Sequence, residues 1–509
     1  MTKAAKPSVA KPPSKPPAAK APSKPPAAKA PASMPPARPV VPMPPPPRQG
    51  PRPYNFRRPS HVELAKALIQ QLEVVVEGRI RKPIFDEGSL YAYDVKKGIW
   101  AQKGEVEAGR IIQSFDGAQA GQKATLKLKE SDIKGGLACA RREVHADGFF
   151  ASAPAGLVFK DSLVAVNPDG SIEKKAHATE NRARHSYDFD YCEREPKRFL
   201  KAMRGMFQPD EDAEEKIRLV GEFAGAAILG GATKLQRWVL LKGNGDDGKS
   251  TLVDMLRNAM PEGSTCTIRP EDLEDEYSRA DLVGKLLNTV TEVKQREVLD
   301  AETLKACTSG DEMRGRHIRE APVDFKPRAA HLFAANGYPK FSDSSHGFWR
   351  RPIVITFNRR FTGDPERKVG LADEIVREER AEIVCWLVRQ GAKALARGGY
   401  IEPKSHFAAL NEWRGETDAV FEFVEEKLVV TKHKVASRIN GWGVPSELYK
   451  SFCMWAQATG HREMSSTAFG RRLTELGYAD VKTNGVRYRP LRLIVKDETK
   501  NADGTSATN

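Results

Sequence analysis

Residues 237–259 constrain the fold and the function of this chain more than any other stretch. Trp238 to Leu241 are an apolar run typical of a buried strand, and apolar residues recur at helical spacing from Leu252 to Ala259. Between them lies Gly243-Asn-Gly-Asp-Asp-Gly-Lys-Ser250, which satisfies the P-loop pattern in its required order of strand, loop and helix. The stretch therefore predicts a binding site for a nucleoside triphosphate.

Each residue type in this loop has a chemical reason. Glycines allow backbone N–H groups to surround phosphate oxygens, and the following helix presents the positive end of its dipole to them. Lys249 is expected to reach the β- and γ-phosphates, and the Ser250 hydroxyl is expected to bind Mg²⁺. With ATP and Mg²⁺ as cofactors, the predicted binding residues are Gly243, Asn244, Gly245, Asp246, Asp247, Gly248, Lys249, Ser250 and Thr251.

Later strands supply the other parts of an ATPase pattern. Residues 282–292 predict a strand that ends at Glu292, where a carboxylate binds Mg²⁺ or orients the attacking water. Residues 330–335 predict another strand, and Asn336 at its end offers an amide to the γ-phosphate or to that water. An arginine before the next strand, at Arg350 or Arg351, is suited to stabilise transition-state charge in a neighbouring subunit.

The first 53 residues differ in composition from the rest of the chain. They hold seven lysines, three arginines and no acidic residue, and so carry +10 of the net charge of +15 on the 509-residue chain. Abundant proline and few large apolar side chains predict a disordered basic tail. Its lysines either contact nucleic-acid phosphates without sequence preference or act as a solubilising spacer, and the sequence leaves both interpretations open.

Cysteine spacing and hydropathy limit the class of protein. The six cysteines have no C-x-x-C spacing, so they indicate neither a zinc site nor a disulfide framework. No apolar run approaches the roughly 20 residues that a membrane span needs. We therefore expect a cytoplasmic protein without a membrane partner.

Composition and hydrophobic spacing divide the chain into six predicted segments. They are a disordered tail at 1–53, an α/β accessory domain at 54–205, an ATPase core with helical parts at 206–400, a helical connector at 401–435, a C-terminal domain at 436–497 and a disordered tail at 498–509. In the accessory segment, Asp188-Phe-Asp190 has the spacing of metal-binding aspartates. A lone pair of alternating aspartates is weak evidence, so a nucleotidyl-transferase site is the disfavoured interpretation.

The C-terminal segment predicts two helices followed by a hairpin, which is the order of a winged helix. Asn484-Gly485 signals the tight turn of that hairpin. The residues predicted to face DNA are Arg471 and Arg472 on the second helix, with Lys482, Arg487 and Arg489 on the wing. A small domain that mediates protein contacts is the alternative interpretation.

In their order along the chain, these elements resemble superfamily 3 helicases of the poxvirus and phage primase-helicase type, over roughly residues 150–495. Besides the P-loop and the strands that end at Glu292 and Asn336, the matching elements are Leu304-Lys305, Ser309-Gly310-Asp311, Phe325-Lys326-Pro327 and Trp349-Arg350-Arg351. The resemblance implies an α/β fold with an AAA+-like ATPase core, an N-terminal accessory domain and a C-terminal winged helix. It also implies Asn336 as the sensor and Arg351, in preference to Arg350, as the arginine finger.

The sequence departs from this family at two places. The family usually has asparagine before the P-loop Gly-Lys, whereas this chain has Asp246-Asp247. Two negative charges beside a triphosphate would repel it unless they point outward or toward Mg²⁺. In addition, Thr291 precedes Glu292, so the acidic strand lacks a second carboxylate.

The resemblance also places a hairpin within residues 313–322, between Glu292 and Asn336. In this family such a hairpin projects into the channel of the ring and contacts DNA phosphates. Arg316, His317 and Arg319 have suitable charge and stand near the expected tip. A solvated basic turn is the alternative interpretation.

The function implied is an ATP-driven replicative DNA helicase of a phage or similar mobile element, acting in the cytoplasm of a bacterial host. A hexameric ring would translocate 3′ to 5′ on single-stranded DNA. Expected partners are single-stranded or forked DNA, five further copies of the chain, and a separate primase or other replisome proteins. Two alternatives stay open: a DNA-binding initiator or loader in which ATP is only an assembly switch, and the helicase half of a primase-helicase.

Overall fold

The computed structural model describes residues 53–122, 124–293, 298–318, 320–341, 345–365, 367–461 and 464–494. The predicted N-terminal tail, apart from Pro53, and the predicted C-terminal tail lie outside the described residues. All of the described residues belong to one structural unit, Pro51–Asn509. They contain both helices and strands throughout, so the predicted mixed α/β class is confirmed.

The N-terminal part combines short antiparallel strands with helices. Its elements are α1 (His61–Leu72), β1 (Val74–Val76), β2 (Arg79–Arg81), β3 (Ile84–Asp86), β4 (Ser89–Asp94), β5 (Ile99–Lys103), α2 (Glu105–Gln113), β6 (Gln119–Ala120), β7 (Ala124–Thr125), α3 (Glu130–Glu143), β8 (Gly156–Val158), β9 (Leu163–Val166) and β10 (Ile172–Lys175). Helix α1 begins where the Ser60 hydroxyl accepts a hydrogen bond from Glu63 N at 3.2 Å. Its apolar side, including Leu64 and Leu68, packs with α2 and α3 in one hydrophobic core.

The central part is built on a parallel sheet. Its elements are α4 (Lys197–Phe207), α5 (Ala213–Ile228), α6 (Ala232–Leu235), β11 (Trp238–Gly243), α7 (Lys249–Ala259), β12 (Thr265–Cys266), α8 (Glu276–Ala280), β13 (Leu287–Val290), β14 (Val298–Leu299), α9 (Ala301–Ser309), β15 (Met313–Gly315), β16 (Val323–Phe325), β17 (Ala330–Ala335), β18 (Lys340–Phe341), α10 (His346–Trp349), β19 (Pro352–Phe357), α11 (Leu371–Arg397) and α12 (Lys404–Thr417). In the described residues, the main sheet has the strand order β12-β13-β17-β11-β19, with all neighbours parallel.

Both faces of this sheet are covered, which explains why its strands are continuous apolar runs. On β11, Val239 and Leu241 pack into the core formed with α4, α5, α7 and α11. Trp238 and Leu240 point to the other face, where the core includes residues of α9 and α12. Because the strands are parallel, their carboxyl ends lie at one edge, where residues that follow β11, β13 and β17 come together.

The predicted boundary at residue 205 between the accessory domain and the core is wrong. Leu157, Phe159 and Val164, which lie on or next to β8 and β9, belong to the same hydrophobic core as the helices of the central sheet. Helix α4 packs into that core as well, through Phe199 and Met203. The separate N-terminal core ends at about Val144.

The C-terminal part comprises α13 (Ala419–Lys427), β20 (Leu428–Val430), α14 (Pro445–Thr459), α15 (Ser466–Glu475), β21 (Val481–Thr483), β22 (Val486–Tyr488) and β23 (Leu491–Leu493). Strand β20 pairs antiparallel with β23, and β21 pairs antiparallel with β22. The turn between β21 and β22 is Asn484-Gly485, and both residues have positive φ, as the tight hairpin prediction requires. The three helices pack on one core that includes Phe423, Phe452 and Phe469.

The predicted helical connector at 401–435 is not one element. Helix α12 belongs to the central part, because Trp413 is buried in the core beneath Trp238 and donates Nε1–H to Pro339 O at 2.9 Å. Helix α13 and β20 instead belong to the C-terminal part, where Val420 and Leu428 are buried. The boundary therefore falls at about Asp418 rather than at residue 436. Among the described helices, none combines the length and the apolar character needed to cross a membrane.

Candidate functional site

The loop between β11 and α7 has the backbone geometry expected of a phosphate-binding turn. Gly248, immediately before α7, has a φ of +92°, a conformation that strongly favours glycine. Gly243 is needed for space, since a Cβ on this residue would lie 2.1 Å from Asp247 Oδ2. The local geometry therefore favours glycine at both positions, through backbone conformation at Gly248 and through space at Gly243.

A cavity of about 620 Å³ opens at the carboxyl edge of the sheet beside this loop. It brings together Lys249, Ser250, Glu292 and Asn336, which are contributed by three neighbouring strand ends. Residues 245–251 line it, whereas Gly243 and Asn244 of the predicted binding set do not. Such a cavity has the size of a small-molecule site and presents a cation, a hydroxyl, a carboxylate and an amide to one ligand.

The strands that carry Glu292 and Asn336 are joined by a buried polar pair. Asn288 on β13 contacts the Nδ1 of His331 on β17 at 3.2 Å, and its side chain also bonds to both backbone groups of Ile268. Burial lowers the pKa of His331 to about 4, so the imidazole is neutral at physiological pH. This pair fixes the register of the two strands whose ends face the cavity.

Residues of α12 and β11 contact the turn that follows Asn336. The Tyr338 hydroxyl donates to Glu412 at 2.7 Å, and the Tyr338 ring stacks on Trp413 with 5.4 Å between centroids. Burial and then this hydrogen bond raise the pKa of Tyr338 well above its ordinary value. Lys242, at the end of β11, lies 4.0 Å from the centre of the same ring and also bonds to Glu412.

The two aspartates of the loop both line the cavity, and each has a cationic partner within the chain. Asp247 is buried, and its Oδ2 lies 2.5 Å from Lys249 Nζ. Asp246 accepts a hydrogen bond from the Thr362 hydroxyl at 2.8 Å and pairs with Arg367 at 3.2 Å. Asp246 is exposed, as the expectation of an outward-pointing acid requires, whereas Asp247 is buried and its charge is balanced by Lys249.

The sequence interpretation missed one wall of the cavity. Met206 of α4, Phe361, and the segment 367–373 with Arg367 and Lys368 line it. Phe361 is held against the loop by a 2.7 Å hydrogen bond from its N–H to Asp246 O, and the Arg359 guanidinium lies over its ring. No spacing in the sequence marks these residues, because tertiary packing alone brings them to the P-loop.

Arg350 and Arg351, the two candidates for the arginine finger, have different surroundings in the structure. Arg351 is partly buried and donates to Ser309 Oγ at 3.0 Å and to Gly347 O, so it holds α9 and α10 to the start of β19. Arg350 is exposed and donates to Gln236 at 3.0 Å. Both lie at the amino edge of the sheet, where Trp238 pairs with Pro352, roughly 20 Å along β11 from the loop.

The predicted hairpin is present as β15 paired with β16, with residues 316–322 as its loop. Arg316 is half-buried and its N–H bonds to Glu276 O at 3.0 Å, whereas His317 is exposed. Arg319 lies outside the described residues. A cavity of about 1000 Å³ separates the base of this loop from β3, β4 and α3 of the N-terminal part, and His317 lines it.

The N-terminal part contacts this hairpin directly, which the sequence did not predict. A Cβ on Gly88, at the turn between β3 and β4, would lie 2.5 Å from Val323 Cγ2 on β16. The neighbouring Glu87 forms a buried ion pair with Arg184 at 2.5 Å. The turn is therefore fixed on one side by this ion pair and on the other by the hairpin.

Two of the five residues predicted to face DNA in the C-terminal part are buried, and those two predictions are wrong. Arg472 forms an ion pair with Asp418 at 2.6 Å and bonds to Glu475, so it joins α15 to the start of α13. Arg489, which follows β22, donates to the carbonyl oxygens of Gly470 and Tyr478 and so joins the β21–β22 hairpin to α15. The other three, Arg471, Lys482 and Arg487, are exposed.

Comparison with known proteins gives two matches in sequence. Residues 241–351, from β11 to the start of β19, match the model of a family described as "Family of unknown function (DUF5906)". A protein of Acanthamoeba polyphaga mimivirus, named "Putative helicase L207/L206", is 25% identical over 283 residues, which are 50% of this chain and 28% of that protein. The predicted resemblance to superfamily 3 helicases is confirmed. The chain spans less than a third of this viral relative's length, and the matched family interval contains the P-loop, Glu292, the hairpin and Asn336.

Among solved structures, two apo structures of the NrS-1 C-terminal region are similar to this chain. Both are 14% identical to it and cover 85% of it. They align over 100% and 99% of their own lengths, with TM-scores of 0.44 and 0.43. Likeness at this level carries no argument about the fold, which rests here on the strand order and the packing described above.

Proposed function

We propose that this chain is an ATP-dependent DNA helicase with an AAA+-like core and a C-terminal winged helix. The observation that carries the proposal is the cavity at the carboxyl edge of the sheet, where Lys249, Ser250, Glu292 and Asn336 meet. The strand order β12-β13-β17-β11-β19 supports it, because the strands that carry Glu292 and Asn336 lie on one side of the P-loop strand.

In this proposal each residue at the cavity has one task. The N–H groups of the loop and the N-terminus of α7 bind the phosphates, and Lys249 neutralises the β- and γ-phosphate charge. Ser250 and Glu292 would hold Mg²⁺, which would supply further neutralisation of those phosphates. Glu292 accepts a proton from the attacking water, and Asn336 orients that water by a hydrogen bond.

The arginine that completes the site is expected to come from another copy. Arg350 is exposed at the amino edge of the sheet, roughly 20 Å from the chain's own P-loop, so it serves a neighbouring cavity rather than its own. A closed ring of identical chains satisfies this requirement at every interface, since heterologous contacts close when the rotation permits. We propose a hexameric ring in which Arg350 acts as the finger.

The proposed coupling to DNA runs through the β15–β16 hairpin. Both strands of the hairpin lie in the chain between Glu292, which follows β13, and Asn336, which follows β17, so a change at the phosphates is transmitted along a short stretch of chain. We propose that the hairpin loop, with Arg316, His317 and Arg319, contacts the phosphates of single-stranded DNA and moves 3′ to 5′ as ATP is hydrolysed. A separate primase would supply the primers that replication needs.

The test is ATP hydrolysis with and without single-stranded DNA, for the wild-type chain and Lys249→Ala. Stimulation by DNA that is lost in the variant is the expected result, followed by unwinding of a forked DNA. Glu292→Gln should bind ATP and fail to hydrolyse it. Hydrolysis that Lys249→Ala leaves intact would refute the assignment of the site.

One observation favours a second candidate function, a DNA-binding initiator or loader in which ATP serves as an assembly switch. The 2.5 Å pair between Asp247 and Lys249 opposes phosphate binding at the lysine and would slow turnover. This alternative predicts slow hydrolysis that DNA does not stimulate, together with assembly that depends on ATP. Size measurement with ATP, with ADP and without nucleotide separates the two functions.

A further inference from the structure

Residues 431–443, between β20 and α14, form a closed loop that we call the basic loop. Its first residue donates from Thr431 N to Pro490 O at 3.0 Å, and its last donates from Gly443 N to Leu491 O at 2.7 Å. Both ends are therefore bound to the start of β23. Compact loops of this length, with their ends close together, frequently carry function.

The basic loop is held in shape by its own side chains. The Thr431 hydroxyl donates to Asn440 O at 2.8 Å, and the Trp442 indole donates to His433 O at 2.9 Å. The Asn440 amide donates to Val435 O at 3.1 Å. Because these bonds cross the loop, its backbone is held in one shape, which lowers the entropy cost of ordering the loop on binding.

All charged residues of the basic loop are basic. It contains Lys432, His433, Lys434 and Arg438 and no acidic residue. Lys432 and Lys434 are exposed and have no ion-pair partner among the described residues, whereas Arg438 pairs with Glu447 of α14. The two lysines therefore present uncompensated positive charge to a ligand.

The wing formed by β21 and β22 adjoins the basic loop. Val430, the last residue of β20, pairs with Leu491, the first residue of β23, and β22 ends at Tyr488 shortly before. The basic loop and the wing consequently leave the β20–β23 pair at the same end. Gly443 and Arg489 exchange backbone hydrogen bonds at 3.0 and 2.8 Å, which joins the two elements. Lys482 is exposed on the wing and adds positive charge to this surface, whereas the exposed Arg487 pairs with Asp480 at 3.4 Å.

The basic loop also has an apolar tip. Ile439 is 98% exposed and Val435 is 65% exposed, between and beside the cationic residues. A nucleic-acid duplex has phosphates on its outside and apolar base faces within. It is therefore complementary to cationic side chains that surround a protruding isoleucine.

We infer that the basic loop is a second nucleic-acid contact of this chain, in which Lys432 and Lys434 bind duplex phosphates beside the wing and Ile439 meets the bases or sugars. The inference rests on the proposed function, since it supposes that the chain acts on DNA. It assigns the DNA-facing surface of the C-terminal part to the basic loop and the wing, in place of the buried Arg472 and Arg489.

Binding of a fluorescein-labelled forked DNA to the full chain, without nucleotide and over a series of salt concentrations, tests the inference. Lys432→Ala/Lys434→Ala should weaken binding and reduce the slope of log affinity against log salt by roughly 1.8, for two lost phosphate contacts. The matched control is Lys96→Ala/Lys97→Ala, which removes two exposed lysines from the turn between β4 and β5 and should leave the slope unchanged. Ile439→Ser should weaken binding with the wild-type slope.

The inference would be overturned if Lys432→Ala/Lys434→Ala and the control had equal DNA affinity and equal salt slope. It would also be overturned if Lys432→Ala/Lys434→Ala lost affinity with no change in slope. A melting temperature equal to that of the wild-type chain shows that each variant is folded. DNA-stimulated hydrolysis by the wild-type chain reports on the proposed function separately. If it is present while the lysine variant binds DNA normally, only the inference about the basic loop fails.

Discussion

The carboxylate of Asp247 lies 2.5 Å from the ammonium of Lys249, and both side chains are buried. The same carboxylate accepts hydrogen bonds from Gly245 N at 3.2 Å and from Lys249 N at 3.3 Å. These are groups of the kind that bind phosphate oxygens in a P-loop. An anion of the protein thus competes with the triphosphate for the lysine and for a backbone donor.

Replacing Asp247 by asparagine should strengthen ATP binding. The substitution removes the charge that holds Lys249 and keeps a side chain of similar volume. Charge-assisted hydrogen bonds of this kind are worth about 1.5–3 kcal/mol, which corresponds to an increase in ATP affinity of about tenfold or more. Titration with a fluorescent ATP analogue measures it. Asp246→Asn is the control, since that carboxylate pairs with the half-exposed Arg367 and should change affinity less. Weaker binding in Asp247→Asn would show instead that the aspartate orients the lysine.

Arg350→Ala should abolish hydrolysis while ATP binding stays intact, because a finger acts on the transition state and its loss costs about 10³–10⁵ in rate. The measurement is steady-state hydrolysis beside equilibrium ATP binding. Mixing Arg350→Ala with Lys249→Ala should recover part of the activity, because some interfaces then join an intact P-loop to an intact arginine. No recovery in the mixture would contradict action between subunits.

Arg351→Ala should act on stability instead. Its guanidinium holds Ser309 and Gly347, and the loss of such hydrogen bonds costs about 1–3 kcal/mol in the free energy of unfolding. Urea denaturation of Arg351→Ala and Arg350→Ala, each against the wild-type chain, measures the difference. Equal stability of the two variants would argue against the structural role given to Arg351.

Three buried histidines predict that the protein loses stability in acid. Burial lowers the pKa of His185, His331 and His406 to about 4 from an ordinary value of 6.5. Between pH 4 and pH 6.5 the unfolded chain binds more protons than the folded chain. The free energy of unfolding is therefore highest above pH 6.5 and decreases as the pH falls toward 4, by up to about 3 kcal/mol for each histidine. Urea denaturation at pH 7 and pH 5 tests this. In His331→Phe the dependence on pH should be smaller; an undiminished dependence would remove His331 from the explanation.

The contact between the N-terminal part and the hairpin predicts a coupled effect on DNA-dependent activity. Gly88 has a φ of +77°, and an added methyl group would press on Val323 of β16. Gly88→Ala should therefore lower the stimulation of hydrolysis by DNA while the basal rate without DNA stays near that of the wild-type chain. Gly78→Ala is a suitable control, since Gly78 has a similar φ of +73° and open space around it. A uniform loss of basal and stimulated hydrolysis in Gly88→Ala alone would contradict the coupling.

The sequence was sufficient for the residues that follow strands of the central sheet. Lys249, Glu292 and Asn336 each come after an apolar run, and the carboxyl ends of parallel strands share one edge, so their meeting follows from local patterns. Met206 and Phe361 reach the cavity from α4 and from the segment after β19. Their approach depends on packing between distant elements, which hydrophobic periodicity does not reveal.

Local patterns in the sequence do not reveal the direction of a single side chain or a partner that is distant in sequence. Arg350 and Arg351 are adjacent and chemically identical, so only the direction of each side chain separates an exposed arginine from a structural one. Arg472 finds its partner Asp418 at a distance of 54 residues in sequence, and the pair buries a charge that the helix pattern assigned to the surface. Ion pairs between distant residues are not encoded in local spacing.

The distance between Arg350 and the P-loop along one strand has a consequence for inheritance. In the proposed ring, each chain contributes Arg350 to a neighbour's cavity and Lys249 to its own. A chain that lacks either residue therefore inactivates an ATP site at an interface with an intact chain. A cell that makes both normal and defective copies would then lose more activity than the defective fraction alone removes. Mutations at these two positions are accordingly expected to be dominant rather than recessive.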